Sequence, residues 1–134
     1  MRRICIDPRF VNEAGNDLIP SMIHTIRQNY NFWKRFEGKE VALFVWEGKP
    51  RQKGSKQKVF CTKKIITVQE VLLHARGSNW RWTLPDYSPI HGLFLSTNDG
   101  FFLFSDFADW FEKYKPGKMA VLHFTDYRYQ GEAT

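Results

Sequence analysis

The amino-acid sequence predicts an α+β domain, a mixed or antiparallel sheet flanked by short helices. Three observations predict it. Val41-Ala42-Leu43-Phe44-Val45-Trp46 has no polar member and is rich in β-branched and aromatic residues, as a strand covered on both faces requires. The chain reads as strand again over 59–73 and over 119–129. Between those stretches Phe107, Trp110, Phe111 and Tyr114 recur at i, i+3, i+4 and i+7, the stripe of an amphipathic helix.

Length and composition suit one domain over residues 1–134, because 43% hydrophobic and 16% aromatic content covers a single core. No window approaches the roughly 20 apolar residues of a membrane span, and Met1 to Asp7 breaks before a signal-peptide apolar region forms. The expected compartment is therefore the cytoplasm, with no membrane partner. Cys5 and Cys61 form no CxxC pair and read as buried thiols, not a bridge. Twenty basic residues against 14 acidic give a net charge of +6, which favours a polyanionic partner without naming one.

From the N-terminus, Arg2 to Phe10 forms a short first strand closed by Asp7-Pro8, and Asn12 to Asp17 forms a turn with Gly15. Pro20 disfavours helix at Ile19, so Met22 to Arg27 runs extended. Ile23, Thr25 and Arg27 then share one face, and Met22, His24 and Ile26 the other. Asn29 to Phe36, dense in aromatics and carrying Lys34 and Arg35, reads as a turn that packs its rings inward. Strand Val41 to Trp46 is central in the sheet. Lys49, Arg51, Lys53, Lys56 and Lys58 follow with no acid among them, an exposed hairpin tip around Gly54-Ser55. Val59 to Leu73 is strand, bent at Lys63-Lys64. Residues 74–92, with Gly77-Ser78-Asn79, Pro85 and Pro89, read as an irregular insertion over one mouth of the sheet, with Trp80, Trp82 and Tyr87 partly buried. Leu93-Phe94-Leu95 is a short apolar segment and Asn98-Asp99-Gly100 a turn. Ser105 caps the striped helix and Lys115-Pro116-Gly117 stops it. Met119 to Tyr129 is the last strand, with Ala120, Leu122 and Phe124 on one face and His123, Thr125 and Tyr127 on the other. Residues 130–134 fray.

Three pieces in this order resemble an ASCH domain of the PUA-like superfamily. Ile23-His24-Thr25-Ile26-Arg27 is similar to the family's Gly-x-Lys-x-x-Thr-x-Arg strand. Phe36-Glu37-Gly38-Lys39-Glu40-Val41-Ala42-Leu43 resembles the start of its next barrel strand. Asn98-Asp99-Gly100-Phe101, Ser105-Asp106-Phe107, Trp110-Phe111 and Val121-Leu122-His123-Phe124 resemble its Asp-Gly-Phe turn, helix and closing strand. Together these cover most of residues 20–126. The resemblance implies a small closed β-barrel with flanking helices that handles RNA or modified nucleosides. It also implies a ligand pocket around Thr25 and Arg27, with Asn98 and Asp99 where the family has a glutamate. Met22 departs from the pattern, since the hydrolytic members, the N4-acetylcytidine amidohydrolases, carry a catalytic lysine there. A thioether cannot act as a general base. Residues 74–92 have no counterpart in the family.

A guanidinium at Arg27 offers fixed donors for a phosphate or a base edge, and Thr25 adds a hydroxyl. The alternative is that Arg27 pairs with an acid and Thr25 with backbone. His24, on the opposite face, is expected in the core. Nucleic-acid contacts are expected from Lys34 and Arg35, from Lys49, Arg51, Lys53, Lys56 and Lys58, and from Trp80, Arg81 and Trp82. In that last group, rings beside a guanidinium suit the stacking of single-stranded bases. Trp33, Trp46 and Trp110 are expected in the core. No metal or cofactor is expected. Glu37-Gly38-Lys39 and Glu47-Gly48-Lys49 lack a paired upstream acid, and His24, His74, His91 and His123 never fall at metal-ligand spacing. The expected function is binding of RNA, or of a modified nucleotide within it. One alternative is a nucleoside hydrolase or ribonuclease using Thr25 with Asp99. Another is a protein-interaction module of a mobile genetic element that docks its basic face on an acidic protein.

Overall fold

The computed structural model describes residues 1–75 and 81–130. Its strands form two sheets. In the first, β1 (Arg3–Cys5) and β4 (Lys56–Lys64) flank β3 (Glu40–Glu47), β1 running parallel to it and β4 antiparallel. The second has the order β2 (His24–Gln28), β8 (Gly117–His123), β5 (Thr67–Ala75), β6 (Arg81–Thr83), β7 (Pro89–Ile90), every neighbouring pair antiparallel.

The α+β class is observed, but the closed barrel is not. Each sheet keeps two open edges among the described residues. The cause lies in strand partnership: β2 pairs with β8, whereas β3, the next strand in the chain, goes to the other sheet with β1 and β4.

β3 is central, as its composition demands, with Val41, Ala42, Leu43 and Phe44 buried. The hairpin from β3 to β4 carries the basic tip into solvent, where Lys49, Arg51, Lys53, Lys56 and Lys58 are all exposed. Beyond β4 the chain crosses between sheets at Ile65, just past Lys63-Lys64. Ile65 N–H donates to the Lys39 carbonyl (2.9 Å), and the Ile65 carbonyl accepts from Gly38 N–H (2.6 Å). The Ile66 N–H then donates to the His123 carbonyl (2.8 Å). Along β8, Met119 to His123 are all buried, so this strand is covered on both faces and has no polar side. It ends at His123, short of Tyr129.

Among the described residues, three α-helices and a 3-10 turn at Pro8–Phe10 complete the fold. Tyr30–Lys34 is α1, not a turn. Asn29 caps it from a left-handed backbone conformation (φ 68°), which asparagine tolerates, and its side chain accepts from Phe32 N–H. α2 spans Gly92–Asn98, capped by His91 Nδ1 accepting from Leu93 N–H (3.2 Å). α3 spans Phe104–Phe111 and starts one residue before Ser105, which therefore lies inside the helix; Leu103 occupies the cap position without a side-chain bond. The stripe buries Phe107 and Phe111 against Trp82.

Residues 81–90 are not a lid over a sheet mouth. β6 and β7 extend the second sheet, Trp82 opposite Ile90. Trp80 and the expected fraying of 131–134 lie outside the described residues. Cys5 is exposed and Cys61 half-buried, both unbridged, which corrects the expectation of buried thiols. No helix among the described residues is long and apolar enough to cross a membrane.

Candidate functional site

β2 is the edge of the second sheet and β1 the edge of the first, and the alternation of β2 turns Thr25 and Arg27 toward that seam. Arg27 bridges it. Its Nη2 donates to the Cys5 carbonyl (2.7 Å) and its Nε donates to Thr25 Oγ1 (3.2 Å). Both residues line a cavity of about 380 Å³, within the roughly 300–1,000 Å³ of small-molecule clefts. Asp99 lines it too, delivered by the end of α2 and the tight turn at Gly100. The walls are aromatic: Phe10, Trp46, Phe101, Trp110 and Tyr114. Gly48 and Pro50, at the root of the basic hairpin, form part of the lining. The guanidinium of Arg9 and the ammonium of Lys113 each sit 5.4 Å from the Trp110 ring centre.

Behind Asp99 lies a buried polar chain. His24 Nδ1 is 3.2 Å from Asp99 Oδ1, and His24 Nε2 is 2.5 Å from the Tyr129 hydroxyl. Asn98 Nδ2 donates to that same hydroxyl oxygen (3.1 Å). The hydroxyl also lies within donating reach of the Phe94 carbonyl (3.4 Å), so both nitrogens of His24 and the Tyr129 oxygen are engaged inside the fold. His123 stands directly opposite His24 across β2 and β8, their rings edge to face at 5.5 Å, and its Nε2 bonds Gln69 Oε1 (2.9 Å).

Burial sets the electrostatics. It pushes His24 and His123 down to about 3, so both are neutral imidazoles. It raises the Asp99 carboxyl well above its usual range, opposed by the Arg27 guanidinium and the Ile26 backbone. Arg27 is itself lowered by burial, against the pull of Asp99, and stays a cation.

The structure thus brings together Thr25, Arg27 and Asp99, and separates Asn98, whose amide turns to Tyr129 and lines no part of this cavity. Among the described residues Arg27 neither stands free nor makes a direct ion pair; it bonds Thr25 and backbone, with Asp99 nearby. Trp46 and Trp110 are half-buried wall residues, while Trp33 is in the core. Trp82 is buried, so it presents no face to a base. Lys34 pairs with Glu37 (2.8 Å), and the Arg35 guanidinium lies over the Phe32 ring, so both serve local packing. Arg81 is exposed on β6 and lines no part of the cavity. Met22 is a buried part of the lining and supplies no base. Arg9, Lys113 and the His24–Tyr129 chain were not anticipated; Arg9 stands beside a Phe and Lys113 near Trp110 in sequence, which is the only local signal. No group of three metal-ligating side chains occurs among the described residues.

No protein-family model matches the chain, and neither a curated protein nor a solved structure matches it. The resemblance to an ASCH domain of the PUA-like superfamily is therefore corrected. Its motifs occur in order, but the strands they mark lie in two separate open sheets.

Proposed function

We propose that the protein binds nucleotides, singly or within RNA, by taking a base into the aromatic cavity and holding phosphates on the basic hairpin. The observation that carries this is the convergence of Thr25, Arg27 and Asp99 with Trp46 and Trp110 in one cavity rooted at that hairpin. Rings supply stacking surface for any base, and clustered cations neutralise backbone phosphates. Among the described residues, none of the five hairpin cations pairs with a carboxylate. Arg9 and Lys113 add positive charge beside Trp110.

Binding is favoured over turnover by the surroundings of Thr25. Its oxygen accepts from Arg27, and the bond of Asp99 goes to His24 and not to the Thr25 hydroxyl, so the pair is not arranged as nucleophile and base.

Filter binding of single-stranded RNA at two salt concentrations tests the proposal. Affinity should fall steeply with salt, and reversing Lys53, Lys56 and Lys58 to Glu should reduce that slope by about three phosphates' worth. Arg27→Ala should weaken binding by roughly 1.5–3 kcal/mol, the range for hydrogen bonds to a charged group. A melting curve on each variant separates lost contacts from lost structure. Salt-independent binding, or none, would overturn it.

A further inference from the structure

Resting on the nucleotide-binding proposal, we propose that the base taken into the cavity is guanine, with the Asp99 carboxylate accepting hydrogen bonds from its N1–H and 2-amino group. Two carboxylates, Asp7 and Asp99, line the cavity against one cation, Arg27. That cation is already engaged by Thr25 and the Cys5 carbonyl. Asp7 faces Arg9, accepting from its backbone N–H (2.9 Å) and its Nε (3.2 Å). A phosphate inside would meet two acids and one committed guanidinium, so the buried part of the ligand is the ring and the phosphate stays at the hairpin.

The Watson–Crick edges of the bases then discriminate. Guanine alone carries two adjacent donors, which match the two oxygens of one carboxylate. Uracil sets a single donor between two carbonyl acceptors, and adenine and cytosine each place an acceptor beside their donor, so one lone pair would oppose the carboxylate. Guanidinium hydrogens of Arg27 not used by Thr25 and Cys5 suit O6.

Asp99 is also held ready. His24 fixes Oδ1 from behind, and Tyr129 and Asn98 fix His24. A carboxylate has about four lone-pair sites, so one bond to His24 leaves acceptors open. The Asp99 side chain is 6% exposed, within a residue that lines the cavity. An acceptor immobilised before binding costs less to order when the ligand arrives.

Quenching of indole fluorescence by the monophosphates of guanosine, inosine, adenosine, cytidine and uridine on the intact chain tests this. Guanosine monophosphate should bind tightest. Inosine monophosphate, which lacks only the 2-amino group, should bind about tenfold more weakly, and adenosine monophosphate more weakly still. Asp99→Asn should lower guanosine monophosphate affinity and close the gap to inosine. Because that substitution also touches His24, the ratios on the unaltered chain decide without it. Equal affinities, or a preference for another base, would overturn the guanine assignment and leave nucleotide binding standing. RNA retained without any mononucleotide bound would overturn it as well, by placing the RNA on the hairpin alone. If neither mononucleotide nor RNA binds, both proposals fall.

Discussion

His24 is a neutral ring at the centre of a core, and its protonation is a statement about stability. Burial holds His24 and His123 at about 3 in the folded chain, against an ordinary 6.5. On unfolding both can charge, so between about 3 and 6.5 the unfolded chain holds more protons and stability is lost as pH falls. Asp99 works in the opposite direction. Raised in the fold, it binds its proton more tightly than in the unfolded chain, which partly offsets the histidines. Two imidazoles outnumber one carboxyl, so the histidines set the sign. Urea midpoints at about pH 4.5 and 6.5 check the sign: the midpoint should be higher at the upper pH, and a flat or reversed trend contradicts the assignment. The same carboxyl links pH to ligand. His24, Arg27 and Tyr129 face it from the protein, with Asp7, Cys5 and Tyr114 around the cavity. A donor-bearing base stabilises the ionised form, so guanosine monophosphate affinity should rise with pH. At this scale Thr25 and Arg27 were legible, since strand alternation alone puts them on one face. The partnership of Asp99, His24 and Tyr129 was not, because it depends on the register of β2 against β8 and on where α2 ends. Asn98 and Asp99, adjacent in sequence, diverge because helical rotation at the end of α2 points consecutive side chains in different directions.

Gly100 links an element to the site. It takes φ +93°, and a Cβ there would lie 2.8 Å from Phe10 Cδ1 and 3.1 Å from Met22 Cβ. Gly100→Ala therefore meets both backbone strain and two cavity-lining residues, and should lower unfolding free energy by about 1–3 kcal/mol in denaturant titration. A variant as stable as the parent would show that the turn is not confined. Within α3, Phe107→Ala should cost about 3–5 kcal/mol, since the ring is fully buried among Trp82, Phe101 and Phe111. Phe102, 97% exposed, should tolerate Ser within about 0.5 kcal/mol. A reversal of that order would contradict the packing. β3, the basic hairpin and the α3 stripe were legible because each is announced by its own composition. α1 was not, since five residues are too few to show a helical period and its aromatics are spread round the chain. β6 and β7 were hidden for the converse reason. Strands of three and two residues among prolines exist because β5 offers an edge to β6 and β6 one to β7, a tertiary effect that local propensity does not carry.

Over the whole molecule, the seam between the two sheets is where chemistry gathers. Edge strands normally present unpaired backbone groups, and here the Cys5 carbonyl of one edge takes a donor from the Arg27 side chain of the other. The pairing of sheets was the least legible level. β2 meets β8, about a hundred residues away, and no local pattern records such a partner, so an ordered set of short motifs suggested a barrel that the strand pairing does not make. Net charge was legible as a number, +6, but not as a place; the fold brings the root of the basic hairpin, Gly48 and Pro50, into the lining of one aromatic cavity and sets Arg9 and Lys113 beside its Trp110 wall. That placement is the central claim, and amide and indole chemical-shift mapping during titration with guanosine monophosphate tests it most directly. The account predicts shifts concentrated at Thr25, Arg27 and Asp99 and on the Trp46 and Trp110 indoles, surviving salt that releases RNA from the hairpin. Shifts confined to residues 49–58, or none at all, would contradict it.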